Sequence, residues 1–236
     1  TIISKETIEE LKAANRDCTY PEQELLQVIP QEYKVGNVNQ IDPVGVMSDN
    51  IEGRYLNVVA RNSLHSNVLK CLNIAGIQVA EYFIAPLALA DCVLSDAEKR
   101  SGCAVVDLGA ETTTVAIYKN NILRHLAVIP LGGANITKDI SAQQIEEEDA
   151  EELKLKYGCA YSDEEANENN EDKQYQVTAD TTISSKLLND IVESRVEEII
   201  ANVWEQISLS NCANELLSGV VLTGGGSNLR NLELAF

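Results

Sequence analysis

The sequence predicts an α/β fold in two parts, a small α+β domain followed by a larger lobe of strands and helices. Three observations support this prediction. Strand-like and helix-like segments alternate through residues 1–79, and residues 103–130 contain three apolar runs separated by short turns. A long amphipathic pattern then leads into a last apolar run, VVLT. With 236 residues, the chain is long enough to bury a substantial core.

The composition, with 44% hydrophobic residues, is that of a globular protein, and the formal net charge is −19. This charge opposes contact with phosphates, so nucleic acid is not expected as a partner. No apolar run approaches the roughly 20 residues that span a bilayer, and no signal-peptide pattern is present, so a soluble chain is expected. The six cysteines have no CxxC spacing, which favours free thiols in a reducing compartment: Cys18, Cys71, Cys92, Cys103, Cys159 and Cys212.

Residues 1–79 are predicted to form the small α+β domain. Ser4 can cap a first helix, and the runs ELLQVIPQEYKV and GRYLNVVARN are typical of strands. A second helix is predicted in SLHSNVLKCLNIAG, which stops at Gly76. In residues 80–101, QVAEYFI is predicted to be a short strand, and PLALADCVLSDAEKRS a helix with Pro86 in its first turn.

Residues 102–236 are predicted to form the larger lobe. Three strands, CAVVDL, TTTVAIYKN and ILRHLAVIP, precede two helices in LGGANITKDI and IEEEDAEELKLKYG. The stretch 161–173 is too polar for a core and is expected to be a mobile acidic excursion. The apolar side of the long helix that follows comprises Leu188, Val192, Val196, Ile199, Val203 and Ile207. The run GVVLTGGGSNL predicts a buried strand, a glycine turn and the start of a helix.

The turn after the first strand of the lobe has the composition of a phosphate-binding loop. Gly109 leaves backbone N–H groups unobstructed, and Thr112 and Thr113 add hydroxyl donors. Asp107, at the end of the strand, would repel a phosphate directly but could hold a Mg²⁺ ion through water. An ordinary hairpin with a solvated aspartate and a threonine-rich strand is the alternative.

A second glycine turn follows the last strand. Glycines between a strand and a helix can admit a ligand against the backbone, and a tight connection is the alternative; the turn comprises Gly224, Gly225, Gly226 and Ser227. Glu151 and Lys154 lie one helical turn apart, where they could contact ribose hydroxyls and an adenine edge. On an acidic helix they could also form only a solvated ion pair.

The order of these elements resembles the second half of the actin-like ATPase fold, which is ribonuclease H-like. The segments VVDLGAETTTVAIYKNN, LRHLAVIPLGGANITKDI, AEELKLKYG, the Arg195-x-x-Glu198 helix and VVLTGGGSNLRNLELAF are similar to the FtsA family of bacterial cell-division proteins. LLQVIPQEYKV, DPVGV and LNVVAR resemble the small domain that this family inserts. The resemblance implies a mixed five-stranded sheet, an upper subdomain at about 142–218, and a strand-helix remnant of the first lobe at 80–101.

The resemblance also implies a function. Asp107, Gly109, Thr112 and Thr113 match the second phosphate loop, Gly224 to Ser227 the adenosine loop, and Glu151 and Lys154 the nucleoside contacts. The implied cofactors are ATP and Mg²⁺, with Asp107 holding the metal through water. The implied partners are FtsZ, further copies in protofilaments and other division proteins, at the cytoplasmic face of the membrane at the division site.

In this family a C-terminal amphipathic helix attaches to the membrane. By the resemblance that helix lies beyond Phe236, so no direct membrane contact is expected from this chain. The same resemblance implies a fragment that begins within the inserted domain and lacks the initial strands of the first lobe, and with them half of the ATP cleft.

Three departures from the family pattern argue against rapid hydrolysis. Glu111 lies within a turn that is usually Gly-Gly-Gly-Thr, so it must point away from the nucleotide, contact Mg²⁺ or weaken binding. Thr114 and Ala85 occupy positions where related sequences carry an acidic residue. The expected protein is therefore a nucleotide-binding assembly protein and at most a weak ATPase, with no catalytic residue assigned.

Two alternatives remain open. An actin-fold kinase or chaperone-type ATPase would use Asp107 to orient Mg²⁺ for phosphoryl transfer, but it needs a base and a substrate pocket. An actin-like pilus-assembly protein would have a comparable inserted domain and a membrane-complex partner in place of FtsZ.

Overall fold

The computed structural model describes residues 2–16, 20–162, 172–178 and 181–236. The chain divides into two compact units. Unit 1 comprises Thr1–Ala88 with Ile122–Arg124, and unit 2 comprises Leu89–Asn121 with His125–Phe236. The division after residue 88 falls inside the segment 80–101, and the predicted domain boundaries at 79 and 102 stay predictions.

Unit 1 contains a three-stranded antiparallel sheet in the order β2-β1-β3. Its elements are α1 (Lys5–Arg16), β1 (Gln23–Val35), β2 (Val38–Gln40), β3 (Ile51–Arg61) and α2 (Asn62–Ile74). The predicted cap is confirmed, because the Ser4 hydroxyl oxygen accepts a hydrogen bond from the Thr7 N–H at 3.3 Å. Val28, Tyr33 and Val35 are buried on β1, so one side of this strand carries the small core.

The predicted strand QVAEYFI is wrong. Residues 77–84 form neither a strand nor a helix, and Phe83 is 76% exposed. A strand needs a neighbour to accept and donate its backbone hydrogen bonds, and no segment within the described residues pairs with this one. The helical segment that follows is divided into α3 (Ala85–Val93) and α4 (Asp96–Ser101), since Ser95 caps α4 in a capping box with Glu98.

Unit 2 is built on a mixed sheet in the order β6-β5-β4-β9. Its strands are β4 (Cys103–Leu108), β5 (Thr113–Lys119), β6 (Ile122–Ile129, of which His125–Ile129 belong to this unit) and β9 (Val220–Thr223). Strand β4 pairs antiparallel with β5 and parallel with β9, so the last strand returns beside the first. The expected five-stranded sheet is therefore wrong for the described residues, which contribute four strands. The short strands β7 (Gln174–Gln176) and β8 (Thr182–Ser184) pair with each other instead.

The helices of unit 2 include α5 (Gly133–Ser141), α6 (Glu147–Tyr157), α7 (Ser185–Leu209) and α8 (Leu232–Ala235). The apolar face predicted for the long helix is confirmed, because all six of its residues are buried in α7, together with Ile200. They pack with Val106, Val115 and Ile117 of the sheet in one core. None of the described helices combines the length and the apolar character needed to cross a membrane.

Two predictions concern residues that are described only in part. Five of the cysteines are free thiols, namely Cys71, Cys92, Cys103, Cys159 and Cys212. Cys18 and most of the acidic stretch 161–173 lie outside the described residues.

Helix α7 offers a test of this core. Leu188 is fully buried, whereas its neighbour Leu187 is 42% exposed. Leu188→Ala should lower the free energy of unfolding by about 2–5 kcal/mol, because it removes buried methyl groups and leaves a cavity. Leu187→Ala is the matched control and should cost less than about 1 kcal/mol. Urea unfolding of both variants provides the measurement, and equal losses would contradict the assigned orientation of α7.

Candidate functional site

A cavity of about 310 Å³ lies within unit 2, between the two glycine turns and helix α6. Five of the ten predicted site residues line it, namely Gly109, Glu151, Lys154, Gly225 and Gly226. The remaining lining residues are Ala110, Gly133, Ile136, Leu155, Lys156, Gly158, Asn228, Leu229 and Arg230. The cavity thus brings together the three sequence features that were predicted separately.

The first glycine turn is joined to the start of helix α5. The N–H of Gly133 donates to the carbonyl of Gly109 at 2.9 Å, and that of Ala134 donates to the carbonyl of Ala110 at 2.8 Å. A Cβ atom on Gly132 would lie 2.5 Å from the Ala110 oxygen, so only glycine permits this approach. The first donors of α5 are therefore occupied by the turn itself.

The second glycine turn packs against the end of strand β4. Gly224 has φ = +87°, and a Cβ there would overlap the Asp107 carboxylate and lie 2.5 Å from the Leu108 carbonyl oxygen. Gly225 has nothing within 4 Å of the same position, and it lines the cavity. The expected helix directly after this turn is wrong: Gly225–Asn228 form one 3-10 turn, and the left-handed residue Asn231 (φ = +61°) reorients the chain before α8.

Glu151 and Lys154 form a partly buried ion pair. The Lys154 ammonium lies 2.6 Å from the Glu151 carboxylate, and the lysine side chain is 11% exposed while that of the glutamate is 44% exposed. Burial raises the pKa of Glu151, but hydrogen bonds from Lys154 and Thr137 and the charge of Lys154 outweigh it and lower that pKa. The alternative of a merely solvated pair is therefore wrong for Lys154, which is nearly buried at the cavity wall.

The other predicted site residues lie beside the cavity and not among its lining. Asp107 is half-buried under Gly224, and Thr112 is exposed. The Thr113 hydroxyl is fully buried and donates to the Leu131 carbonyl at 2.8 Å, so in this structure it is not a free donor. The Ser227 hydroxyl donates to the Gly224 carbonyl at 2.7 Å.

Several lining residues were not selected from the sequence. Gly158 ends α6, and a Cβ there would lie 2.5 Å from the Lys154 carbonyl oxygen and 3.2 Å from Leu229 Cδ1, so this position has no room for a side chain. Gly133 belongs to the Gly-Gly pair before a helix, which is a recognisable signal. No local sequence pattern marks Arg230. It lines the cavity because its backbone forms an isolated parallel β-bridge with Cys159, which is distant in the sequence.

The electrostatics of the cavity differ from those of the chain. The chain has 18 basic and 37 acidic residues. The cavity lining carries three basic residues, Lys154, Lys156 and Arg230, and a single acidic one, Glu151. Glu111 is exposed and is not among the lining residues. A cavity of this size with exposed backbone glycines and a cationic balance suits a small anionic ligand.

Comparison with protein families agrees with this organisation. The model of the cell division protein FtsA matches residues 104–236, and the model of the SHS2 domain inserted in FtsA matches residues 1–59. The chain is 31% identical over 235 residues to FtsA of Porphyromonas gingivalis, covering 99% of this chain and 49% of that protein. It is 36% identical over 211 residues to FtsA of Bacillus subtilis, covering 86% and 47%. The chain thus spans about half the length of these relatives.

Among solved structures, a chain of the PilM-PilN type IV pilus biogenesis complex is similar, with a TM-score of 0.65 and 19% identity. The match covers 99% of this chain and 60% of that one. At this identity the likeness shows the fold alone.

The mixed sheet, its helices and this structural likeness define a protein of the actin-like ATPase fold, as predicted. The family models and the relatives then decide between the members of that fold. The chain belongs to the FtsA family of cell division proteins.

The two neighbouring glycines of the second turn give a matched pair of variants. Gly224→Ala should lower the free energy of unfolding by more than about 1 kcal/mol, because φ is positive and the new methyl group meets Asp107 and Leu108. Gly225→Ala has open space and should stay within about 0.5 kcal/mol of the wild type. Thermal unfolding of the two variants checks this, and a larger loss for Gly225→Ala would show that the turn is arranged differently.

The lowered pKa of Glu151 predicts a pH dependence of stability. A carboxylate whose folded pKa lies below its ordinary value of 4.5 contributes stability above that value, and the contribution is lost as the pH falls through the folded pKa. Glu151→Gln should therefore lower the free energy of unfolding by at most about 1 kcal/mol at pH 7, since the exposed part of the side chain is screened by solvent. The cost should shrink as the pH falls below 4.5.

Glu152→Gln is the control for this pH series. Glu152 is exposed and forms no ion pair within the part of the chain that the structure describes. Chemical unfolding between pH 7 and about pH 3 provides the measurement. A cost for Glu151→Gln that grows on acidification would mean that the pKa of this carboxyl is raised in the folded state.

Proposed function

We propose that this chain supplies one side of the ATP site of a cell-division protein that self-associates and links FtsZ to the membrane. The observation that carries the proposal is the single cavity formed by both glycine turns and the Glu151–Lys154 pair. Membership of the FtsA family supports the cellular role. The protein would act at the cytoplasmic face of the membrane at the division site, with other division proteins as further partners.

The cavity has the parts that a nucleotide needs. Gly225 and Gly226 expose backbone beside it, and Glu151 offers a carboxylate acceptor for a sugar hydroxyl. A volume of about 310 Å³ is at the lower end of ligand pockets and suits a nucleoside, with the phosphates leading toward the turn at Gly109. Gly224, Ser227, Thr112 and Thr113 would then support the two turns from outside the cavity.

Asp107 fits Mg²⁺ held through water. It supplies one half-buried carboxylate at the end of β4, next to the first glycine turn. One carboxylate cannot complete an octahedral shell, so the remaining ligands would be water and nucleotide phosphates, as is usual for this ion. The metal would neutralise phosphate charge.

Hydrolysis would be slow. Within the turn and the strand that precedes it, the possible bases are Asp107 and Glu111, and Glu111 is exposed and outside the cavity lining. Thr114 adds no carboxylate. ATP would therefore stabilise an assembly-competent conformation. A kinase-like function is disfavoured because the one carboxylate among the described lining residues, that of Glu151, is already paired with Lys154.

The contact with FtsZ is assigned to residues 142–218. A groove of about 560 Å³ at this part of unit 2 is lined by Arg195, Glu198, Asp139 and five other residues. The Arg195 Nε atom lies 2.6 Å from Asp139, and a second nitrogen pairs with Glu198, so the guanidinium is held in place. A fixed charged side chain in a shallow groove is suited to a peptide contact.

The nucleotide part of the proposal is tested by calorimetric titration of Mg-ATP into the intact protein. We expect micromolar binding, weakened at least about 10-fold in Asp107→Asn, because the metal loses its carboxylate. The charge-matched control Asp190→Asn changes a carboxylate in the Arg195 groove and should bind ATP as the wild type does.

Removing Mg²⁺ separates two explanations of such a loss. If Asp107 acts through the metal, wild type and Asp107→Asn should bind ATP equally in EDTA. A loss that persists in EDTA would mean that the variant disturbs the turn, and no binding by the wild type would contradict the proposal. Binding of ATP without ATP-dependent co-sedimentation with FtsZ would contradict the FtsZ part alone.

A further inference from the structure

The first glycine turn has few hydrogen-bond donors left for a ligand. The Gly109 N–H donates to the Thr112 carbonyl at 2.9 Å, and the Thr113 hydroxyl donates to the Leu131 carbonyl at 2.8 Å. The N–H groups at the start of α5 donate to the carbonyls of the turn. Within the described chain, the tip of the turn, residues 110–112, keeps backbone N–H groups that donate to no protein atom. A phosphate that reaches this turn must therefore bind at its tip.

Glu111 lies at the centre of that tip. Its side chain is exposed and forms no ion pair with any residue that the structure describes. The neighbouring Ala110 lines both the cavity and a second groove, of about 1090 Å³. Six acidic residues and one basic residue, Lys154, line this acidic groove, and Lys154 is already paired with Glu151. The tip of the turn therefore lies in a negative part of unit 2.

The size of the cavity directs the phosphates toward this tip. A volume of about 310 Å³ suits a nucleoside, so a chain of phosphates must extend past the wall formed by Gly109 and Ala110. Glu111 is the next residue of the turn. Like charges repel, and the last phosphate of a longer chain comes closest to the carboxylate. The nucleoside contacts in the cavity are the same for ADP and ATP, so they cannot offset this difference.

We propose that Glu111 is a specificity-determining residue that opposes the third phosphate of ATP, so that the site binds ADP about as tightly as ATP. This inference rests on the proposed nucleotide site. The tip of the turn offers backbone donors to the third phosphate, and the carboxylate beside them cancels that gain. Loss of the third phosphate then leaves ADP in place, and the nucleotide serves this chain as a resident ligand.

Calorimetric titrations of Mg-ATP and Mg-ADP into the intact protein measure this preference directly. In the wild type the two dissociation constants should agree within about 3-fold. Glu111→Gln keeps the size of the side chain and removes its charge. It should bind Mg-ATP about 10-fold more tightly than the wild type, while its affinity for Mg-ADP changes by less than about 3-fold, because the repulsion falls with distance.

Two further variants test whether the charge itself is responsible. Glu111→Lys reverses the charge and should favour Mg-ATP over Mg-ADP more strongly than Glu111→Gln does. Glu205→Gln removes the same charge from an exposed position on α7 that lines neither the cavity nor the acidic groove, and it should leave both affinities unchanged. Because the Glu111 side chain is exposed, its variants should fold, which circular dichroism checks.

The salt dependence of the preference gives a readout that a merely structural role of Glu111 would not move. Added salt screens the repulsion between the carboxylate and the third phosphate. In the wild type, the ratio of the Mg-ADP to the Mg-ATP dissociation constant should therefore rise as the salt concentration increases from about 50 to about 500 mM. In Glu111→Gln the same ratio should stay flat or fall, because no repulsion from this side chain remains to be screened.

The outcomes are separable. No binding of either nucleotide by the wild type overturns both the nucleotide site and this inference. A wild type that binds Mg-ATP at least about 10-fold more tightly than Mg-ADP overturns the inference alone and leaves the nucleotide site in place. Unchanged affinities in Glu111→Gln, or equal gains for the two nucleotides, also overturn it, since the carboxylate would then not act on the third phosphate.

Discussion

Close backbone packing around the end of strand β4 is the constraint on which the rest of unit 2 depends. Gly132 approaches the carbonyls of Gly109 and Ala110, and Gly224 approaches that of Leu108, at distances that leave no room for a side chain. Three turns from distant parts of the sequence can therefore meet at one strand end. Helices α5 and α6 and the cavity between them take their positions from this meeting point.

Several polar groups at this point form hydrogen bonds within the protein. The first N–H groups of α5 donate to the turn at Gly109, and Lys154 donates to Gly133, Thr137 and Glu151. Buried donors and acceptors are costly when unpaired, so such a network holds a geometry before any ligand arrives. The chain has a net charge of −19, yet the cavity beside this hydrogen-bond network is lined by more basic than acidic residues.

The fold of this chain is more widely shared than its family. A chain of a pilus biogenesis complex has a similar fold at 19% identity, yet the family models assign this sequence to FtsA. The same fold is therefore shared by proteins of different families. The proposed roles of Glu151, Lys154 and Arg195 depend on the ion pairs that these side chains form in this structure.

The sequence by itself determined the meander of strands, the buried face of α7, the glycine turn after Asp107 and the family, because apolar periodicity and turn composition are local properties. Five of the residues selected from the sequence also line the cavity. Only the tertiary structure decided that residues 77–84 form no strand, that the Thr113 hydroxyl is buried against Leu131, that Arg230 lines the cavity and that Lys154 has no free donor. Each of these depends on which distant backbone or side-chain group lies opposite, and hydrogen-bond pairing between distant segments is not encoded in any short stretch of the chain.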